Sequence, residues 1–439
     1  MKNRMHKTGL VIVLFCLLPA LVSLGAVDSM WGARLKLNLD LPEIYSSSIA
    51  MSTRNDARAW YRGSWSEQSN LEVELGMGFE YGFLFGMSNQ MEFKWNGFSY
   101  NHFPILDKLN YYGKKGTVSY RAGRQVFRDP GGLVINSPFD GFDLKMTAGS
   151  SILRAGFGYT GLTFGNSAGY YMTNQDSSAS VLSTGRLLEY VSWERPGLTE
   201  WMDLSVSLVS LWDVSSLEKQ QDTQSRAFHP IYLTLSSRGF INRSFLYNAA
   251  LAGQLGFYGN SRVLAGILSL GLSWLPDNSS RVGADIQIAS GDTFNKRGSY
   301  LLARPSAGLL FQYIPVSPVS NRGYVVQFKS GNMTSLGLFY ARKVRDTFSW
   351  EARTTTFLRT ADGPVSTPLV KSFAGNENFL GQEFLASFMW RPRSDFGWDL
   401  RVGMLCTGKP IQLDTLLQQN YLGKVPLMFK AGSNWTWSF

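Results

Sequence analysis

Cysteine and histidine are nearly missing: the 439 residues include two Cys and three His. Cys16 lies in an apolar run near the N-terminus, so a processed chain keeps Cys406 alone and cannot form an intramolecular disulfide. That excludes a small stapled secreted domain. The histidines beyond the first turns are His102 and His229, and His229 precedes Pro230, which marks it as a turn residue. There is no CxxC pair, no HExxH and no phosphate loop. "GNSAG" at 165–169 has nucleophile-elbow spacing, but that motif needs a strand before it and a helix after it. Here it sits among Gly, Ser and Asn in a loop stretch. The chain therefore reads as no enzyme, with no cofactor and no metal.

Long apolar runs are scarce as well. The first stretch, "MKNRMHKTGLVIVLFCLLPALVSLG", has a basic start at Lys2, Arg4 and Lys7, an apolar middle, and small residues at Ser23 and Gly25. This is the pattern of a cleaved signal peptide, residues 1–25, and Cys16 is too deep in the run for a lipoprotein. Past it, no stretch approaches the roughly 20 apolar residues of a helical span. The net charge of +10 loses three with the leader, and what remains is scattered, which argues against a nucleic-acid surface. No fixed repeat of about 20–50 residues appears, so solenoids and propellers are set aside.

What is abundant is alternation. "LEVELGMGFEYGFLF", 71–85, is apolar at every odd position, with Glu72, Glu74, Glu80 and glycines between. Side chains along a strand alternate between faces, so this is a two-sided code. "WGARLKLNLDL" at 31–41, "MDLSVSLVSLW" at 202–212, "FSWEARTTTFL" at 348–358 and "FGWDLRVGM" at 396–404 repeat it. Short connections at 66–70, 148–151, 195–200, 275–280 and 391–395 alternate with longer polar ones at 42–56, 126–138, 164–185, 214–228, 360–379 and 407–424. Outer-membrane barrels have that asymmetry of short turns and long loops. Segment 97–116 fits poorly, because the parity asks for a short turn there. The chain ends on an alternating strand, "LMFKAGSNWTWSF", closed by Phe439, like the terminal strands by which outer-membrane barrels are recognised for insertion.

The expectation is an all-β fold. Residues 26–439 form a single transmembrane antiparallel β-barrel of about 18–20 strands, with long outward loops, in the outer membrane of a diderm bacterium. Its expected partners are the lipid bilayer, the barrel-assembly machinery through the strand ending at Phe439, and a polar or anionic solute; nucleic acid is not among them. By alternation the lumen face carries Arg34, Lys36, Arg58, Arg62, Glu72, Glu74, Arg121, Arg154, Arg353 and Arg401 as pore-lining residues. Glu80, Glu92, Lys94, Asp143, Lys145, Asp203, Arg281, Asp285, Glu351 and Asp399 share that face. Such a mixed set serves either a ladder of cross-strand pairs or the selection of a solute.

Residues 120–146, "YRAGRQVFRDPGGLVINSPFDGFDLKM", resemble the alginate-export-type outer-membrane proteins. There a strand ending Gly-Arg-Gln is followed by a loop and a strand opening Phe-Asp-Gly. The matching residues are Gly123, Arg124, Gln125, Phe139, Asp140 and Gly141. The resemblance implies a porin-like barrel that passes an anionic polymer or small solute through an arginine-bearing lumen. Arg124 and Asp140 end facing strands, where a charge-assisted pair ties the base of the loop, with Gln125 and Gly141 beside them. Leu133, Val134 and Ile135 are out of place on a water-exposed tip, so the loop is expected to fold inward and narrow the channel. The expected function is an outer-membrane channel for passive diffusion or export of polar, including anionic, solutes or polysaccharide. Two alternatives stand beside it. One is an adhesin or antigen barrel with binding loops at 164–185 and 360–379; the other is a hydrophobic-compound transporter, which the charged face disfavours.

Overall fold

The computed structural model describes residues 28–45, 48–87, 93–162, 183, 185–214, 228–258, 261–292, 309–361, 365, 378–412 and 424–439. Within these it describes side chains outside 41–52, 83–99, 102 and 409–426. The first half of the wall is β1 (Asp28–Tyr45), β2 (Ser48–Ser66), β3 (Ser69–Met87), β4 (Phe93–Lys115), β5 (Val118–Arg128), β6 (Asn136–Ala148), β7 (Ser151–Tyr159), β8 (Arg186–Thr199) and β9 (Met202–Asp213). The second half is β10 (Phe228–Asn242), β11 (Phe245–Tyr258), β12 (Ser261–Trp274), β13 (Ser280–Ala289), β15 (Met333–Arg345), β16 (Phe348–Arg359), β17 (Phe379–Arg393), β18 (Phe396–Gln412) and β19 (Lys424–Ser438). The two-residue β14 (Leu309–Leu310) lies between β13 and β15 in the chain, pairs with β12 in parallel and is not a stave.

Each of the eighteen staves pairs antiparallel with its neighbours, and β1 pairs with β19 to close the wall. At that seam Leu35 faces Trp437 and Leu37 faces Trp435. Phe439 N–H donates to Ala33 O at 2.8 Å, and Ala33 N–H donates to Phe439 O at 3.0 Å. Closure removes the free edges that make open sheets aggregate.

The alternation read from the sequence is the inside–outside code. On β12, Leu264, Leu270, Leu272 and Trp274 are exposed, while Val263, Ile267, Ser269 and Ser273 between them are buried. Exposed apolar side chains recur on the outer face from β5 round to β19, and Trp201, Trp274 and Trp390 stand at the short-turn end. An apolar exterior around a charged interior suits a wall that stands in lipid, with tryptophans at the interface.

Two expectations need correcting. Residues 42–56 are not a long loop: β1 runs to Tyr45 and β2 resumes at Ser48, paired through one register shift between Asp40 and Glu43 as far as Tyr45 opposite Ser48. Residues 97–115 belong to β4, paired with β3 along its length through two register shifts, and only 116–117 form a turn. The parity of short and long connections hid this strand, and it also contains Pro104, which donates nothing to a ladder. The proline is tolerated because β5 pairs with β4 only over Leu109–Lys115, leaving the Pro104 side without that partner. The long loops expected at 164–185, 214–228, 360–379 and 407–424 lie largely outside the described residues.

The apolar core lies inside the barrel: part of it is the 133–135 loop that the sequence led us to expect on the lumen wall, and the rest was not expected. One cluster joins Leu133, Val134 and Ile135 to Tyr190, Val209, Tyr232, Ile267, Tyr313 and Val316. A second joins Val325, Val326 and Phe328 to Met333, Phe357, Leu405 and Met428. Both are built by loops that turn into the lumen.

Candidate functional site

The first inward loop is 129–135, between β5 and β6. Pro130 presets a turn, and Gly132 takes φ +63°, which favours glycine. Asp129 is fully buried and accepts from the backbone N–H groups of Leu133 (3.0 Å), Val134 (3.0 Å) and Ile135 (2.7 Å). Burial pushes its carboxyl above the ordinary aspartate range, and those three N–H groups pull it back down. With its polar backbone satisfied, the loop lays Leu133, Val134 and Ile135, none more than 3% exposed, on the inner side of β8–β12. Each such side chain contributes about 1.5–3 kcal/mol by leaving water.

The second is a strap, 311–332, that crosses the lumen from β10 to β17. The sequence reading missed it. Tyr232 OH donates to Ile314 O at 2.5 Å, and Ile314 N–H donates to Gln254 Oε1 at 2.9 Å. The strap then meets the first loop: Val316 N–H donates to Val134 O (2.9 Å), Tyr313 OH to Leu133 O (2.9 Å), and Asn136 N–H to Ser317 Oγ (2.7 Å). Gln287 on β13 donates to Ser320 O at 2.8 Å, and Arg322 Nε donates to Gln287 Oε1 at 2.8 Å. At the far wall the buried Glu383 of β17 accepts from Tyr324 N–H (2.9 Å) and Val325 N–H (2.8 Å), while Phe328 packs on Phe357 at 4.7 Å between centroids. One signal could have revealed the strap. Pro315, Pro318, Gly323 and Gly331 break every alternation, yet Tyr313–Ile314 and Val325–Val326 are adjacent apolar pairs that a solvated loop has no use for.

Arg124 and Asp140 meet as a bidentate pair at 2.8 and 2.6 Å. Arg124 also donates to Leu106 O (3.1 Å) and Leu162 O (2.8 Å). The ladder sets Leu109, Arg124, Asp140 and Tyr159 in one row, and Leu109 is exposed on the exterior, as are Val126 and Phe142 at the same parity. The pair therefore lies on the outer side of the wall, tying β4, β5, β6 and the end of β7. Gln125 is buried, with Nε2 3.4 Å from Arg121 O. Gly123, at φ +112°, pairs with Gly141 in register. A Cβ on Gly123 would sit 2.1 Å from Leu109 O, and one on Gly141 1.9 Å from Phe157 O, so both positions require glycine.

The expected lumen charges fall into three groups. On the β1–β4 wall, Glu74 receives Arg34 (2.5 Å), Arg58 (3.6 Å) and Lys108 (3.6 Å). Arg58 also pairs with Asp56 (2.9 Å) and with Asp107, and Arg62 pairs with Glu72. Here cross-strand pairing takes up nearly every charge; Lys36 stands in the same row without an ion pair among the described residues. Asp107 and Lys108 escaped the sequence reading because their strand did. On β5–β7 the register sets Arg121 against Asp143 and Lys145 against Arg154, with Arg154 3.5 Å from Glu194. The third group surrounds a chamber of about 1420 Å³ between the strap and the short turns, lined by Arg281, Asp285, Arg322, Glu351, Arg353, Asp399 and Arg401 among others. Arg353 pairs with Asp285 (2.6 Å) and Glu351 (3.1 Å), and Arg322 reaches Asp285 at 3.9 Å. Asp203 meets Arg238 at 3.3 Å nearer the short turns, and Glu80 is exposed on β3. Glu92 and the side chain of Lys94 lie outside the described residues.

No family model and no curated protein matches the chain. Its fold does match solved barrels. It is similar to Pseudomonas aeruginosa OccK7 (OpdD), with a TM-score of 0.60 at 11% identity over 94% of this chain and 99% of that one. Pseudomonas aeruginosa OccK5 (OpdH) gives 0.57 at 11% over 94% and 99%. The outer membrane protein opdK from the same organism gives 0.56 at 9% over 94% and 98%. The likeness is one of fold, that of a porin-like barrel of eighteen antiparallel staves, and it lends no support to the alginate-export type that residues 120–146 resemble.

Proposed function

We propose that this protein is an outer-membrane channel for passive movement of polar, including anionic, solutes, narrowed by two loops folded into its lumen. One observation carries the reading: a closed barrel, apolar outside and charged inside, is crossed by a strap and still encloses a chamber of about 1420 Å³. A soluble carrier has no use for the apolar exterior, and a hydrophobic-compound transporter has none for the arginines. The fold likeness to an outer membrane protein supports the location. Cleavage near Gly25 and recognition of the strand ending at Phe439 by the assembly machinery belong to the same proposal. Of the alginate-export resemblance we retain the Arg124–Asp140 tie; polymer export is its finer claim and rests on residues 120–146 alone.

The test is single-channel recording on refolded protein. Stepwise conductance with a preference among monovalent ions is expected. A barrel that inserts and passes no current would turn the reading toward an adhesin.

A further inference from the structure

The chamber has a surplus that pairing does not absorb. Nine cationic and six acidic side chains line it. Most of the acids are engaged inside the protein. Asp285 holds Arg322 and Arg353, Glu351 holds Arg353, and Asp346 holds Lys343 at 2.7 Å. Glu383 is taken by the strap backbone, and Asp277 accepts from Ser279 N–H and O–H, both at 2.6 Å. Only Asp399 remains. On the other side of the balance, Arg243, Arg281, Arg342, Arg345, Arg391 and Arg401 have no carboxylate within ion-pair distance among the described residues. Arg281 is engaged by Ser273 Oγ (3.0 Å) and the Phe339 ring (5.0 Å), which leaves five exposed guanidinium groups.

Position adds sidedness. Arg243, Arg342, Arg345 and Arg391 stand on or near the turns 242–245, 345–348 and 393–396, and Arg401 lies deeper on β18. The roof is the strap, through Pro318, Arg322 and Tyr324. The chamber is thus reached from the short-turn end, which in such barrels faces the periplasm. A guanidinium is always charged and offers paired donors that match carboxylate and phosphate. Five of them around so large a space suit a ligand with several anionic groups, since one charge cannot reach them all.

We propose that this chamber binds a multivalent oxyanion, bearing phosphates or carboxylates, that enters from the short-turn side and obstructs the path beneath the strap. The obstruction rests on the channel reading; the binding does not. Calorimetric titration of the detergent-folded full chain with inorganic tripolyphosphate, and in a second arm with citrate, reads occupancy and separates the two headgroup chemistries. Arg345→Gln, Arg391→Gln and Arg401→Gln are each expected to weaken the bound anion about tenfold, the loss of roughly one charge-assisted contact. Lys115→Gln, on a turn that does not line the chamber, should leave the affinity as it was. In planar bilayers the same anion should reduce current when added on the short-turn side alone. Absence of binding by both anions, equal weakening by Lys115→Gln, or equal block from both sides overturns the proposal. Binding with the expected variant pattern, in a protein that carries no current, upholds the chamber and overturns the channel.

Discussion

The carboxylate of Asp129 accepts from three N–H groups of the β5–β6 loop, and its removal strands all three. Each unsatisfied group costs about 1–3 kcal/mol, so Asp129→Ala should release the loop while the wall persists. Limited proteolysis should then cut within 128–136 in the variant and not in the parent. The pH dependence follows from the direction of its shift. Its carboxyl is raised in the folded state above the ordinary aspartate value of 3.8, so the folded loop holds the proton more tightly than an unfolded one. The loop is therefore expected to gain stability as pH falls from neutral toward that value, which is the reverse of a salt-bridged acid. Channel noise should fall on acidification in the parent and show no such trend in Asp129→Asn. Outside the lumen, Asp140→Ala leaves the buried Arg124 guanidinium with carbonyl partners alone. Since loss of one partner of a buried pair costs about 3–5 kcal/mol, a lower unfolding temperature with unchanged conductance is expected. A change of conductance at constant stability would instead place the pair in the path.

At the scale of elements, the two inward loops brace one another through Val134, Tyr313 and Ser317, so their removal should not be additive. Replacing 318–328 by a short Gly/Ser linker is expected to enlarge conductance more than deleting 128–136, because the strap spans the lumen and the shorter loop hugs one wall. Recording both deletions and their combination checks this; equal single effects would contradict the geometry. The terminal strand is a different matter. Loss of Trp437, Ser438 and Phe439 removes the Leu35–Trp437 contact and both hydrogen bonds to Ala33, opening the seam where the wall closes. That truncation should accumulate unfolded in the periplasm, as read by heat-modifiable gel mobility and membrane fractionation. The strand that escaped sequence reading, β4, shows how a local rule yields to context. Pro104 argues against a strand interior until one sees that the neighbouring stave has already ended.

For the whole molecule, the inside–outside code is testable one residue apart. On a Cys406→Ser background, Arg401→Cys should react with a small charged thiol reagent in lipid vesicles, because it lines the chamber. Val402→Cys, on the exposed apolar exterior, should not. Equal labelling would mean that the wall does not stand in lipid as its alternation requires.

The sequence by itself determined the wall. A period of two is written into each strand, and a charge such as Arg401 beside Val402 or Arg34 beside Leu35 has only one side on which it is not costly. That local rule is enough to specify the faces and a barrel of about 18–20 strands; the extents of β1, β2 and β4 and the β1–β19 seam came only with the structure. What it does not contain is the occupancy of the lumen. Whether Glu74 meets three cations, whether Arg124 and Asp140 face out, and whether Val325 lands on Glu383 depend on which distant strands closure brings together. The strap made this plain: its fragments have no period to read, and their burial exists only once β10 and β17 stand across a common interior. The site therefore belongs to the tertiary structure, because its contacts span the barrel's diameter and not the chain's neighbours.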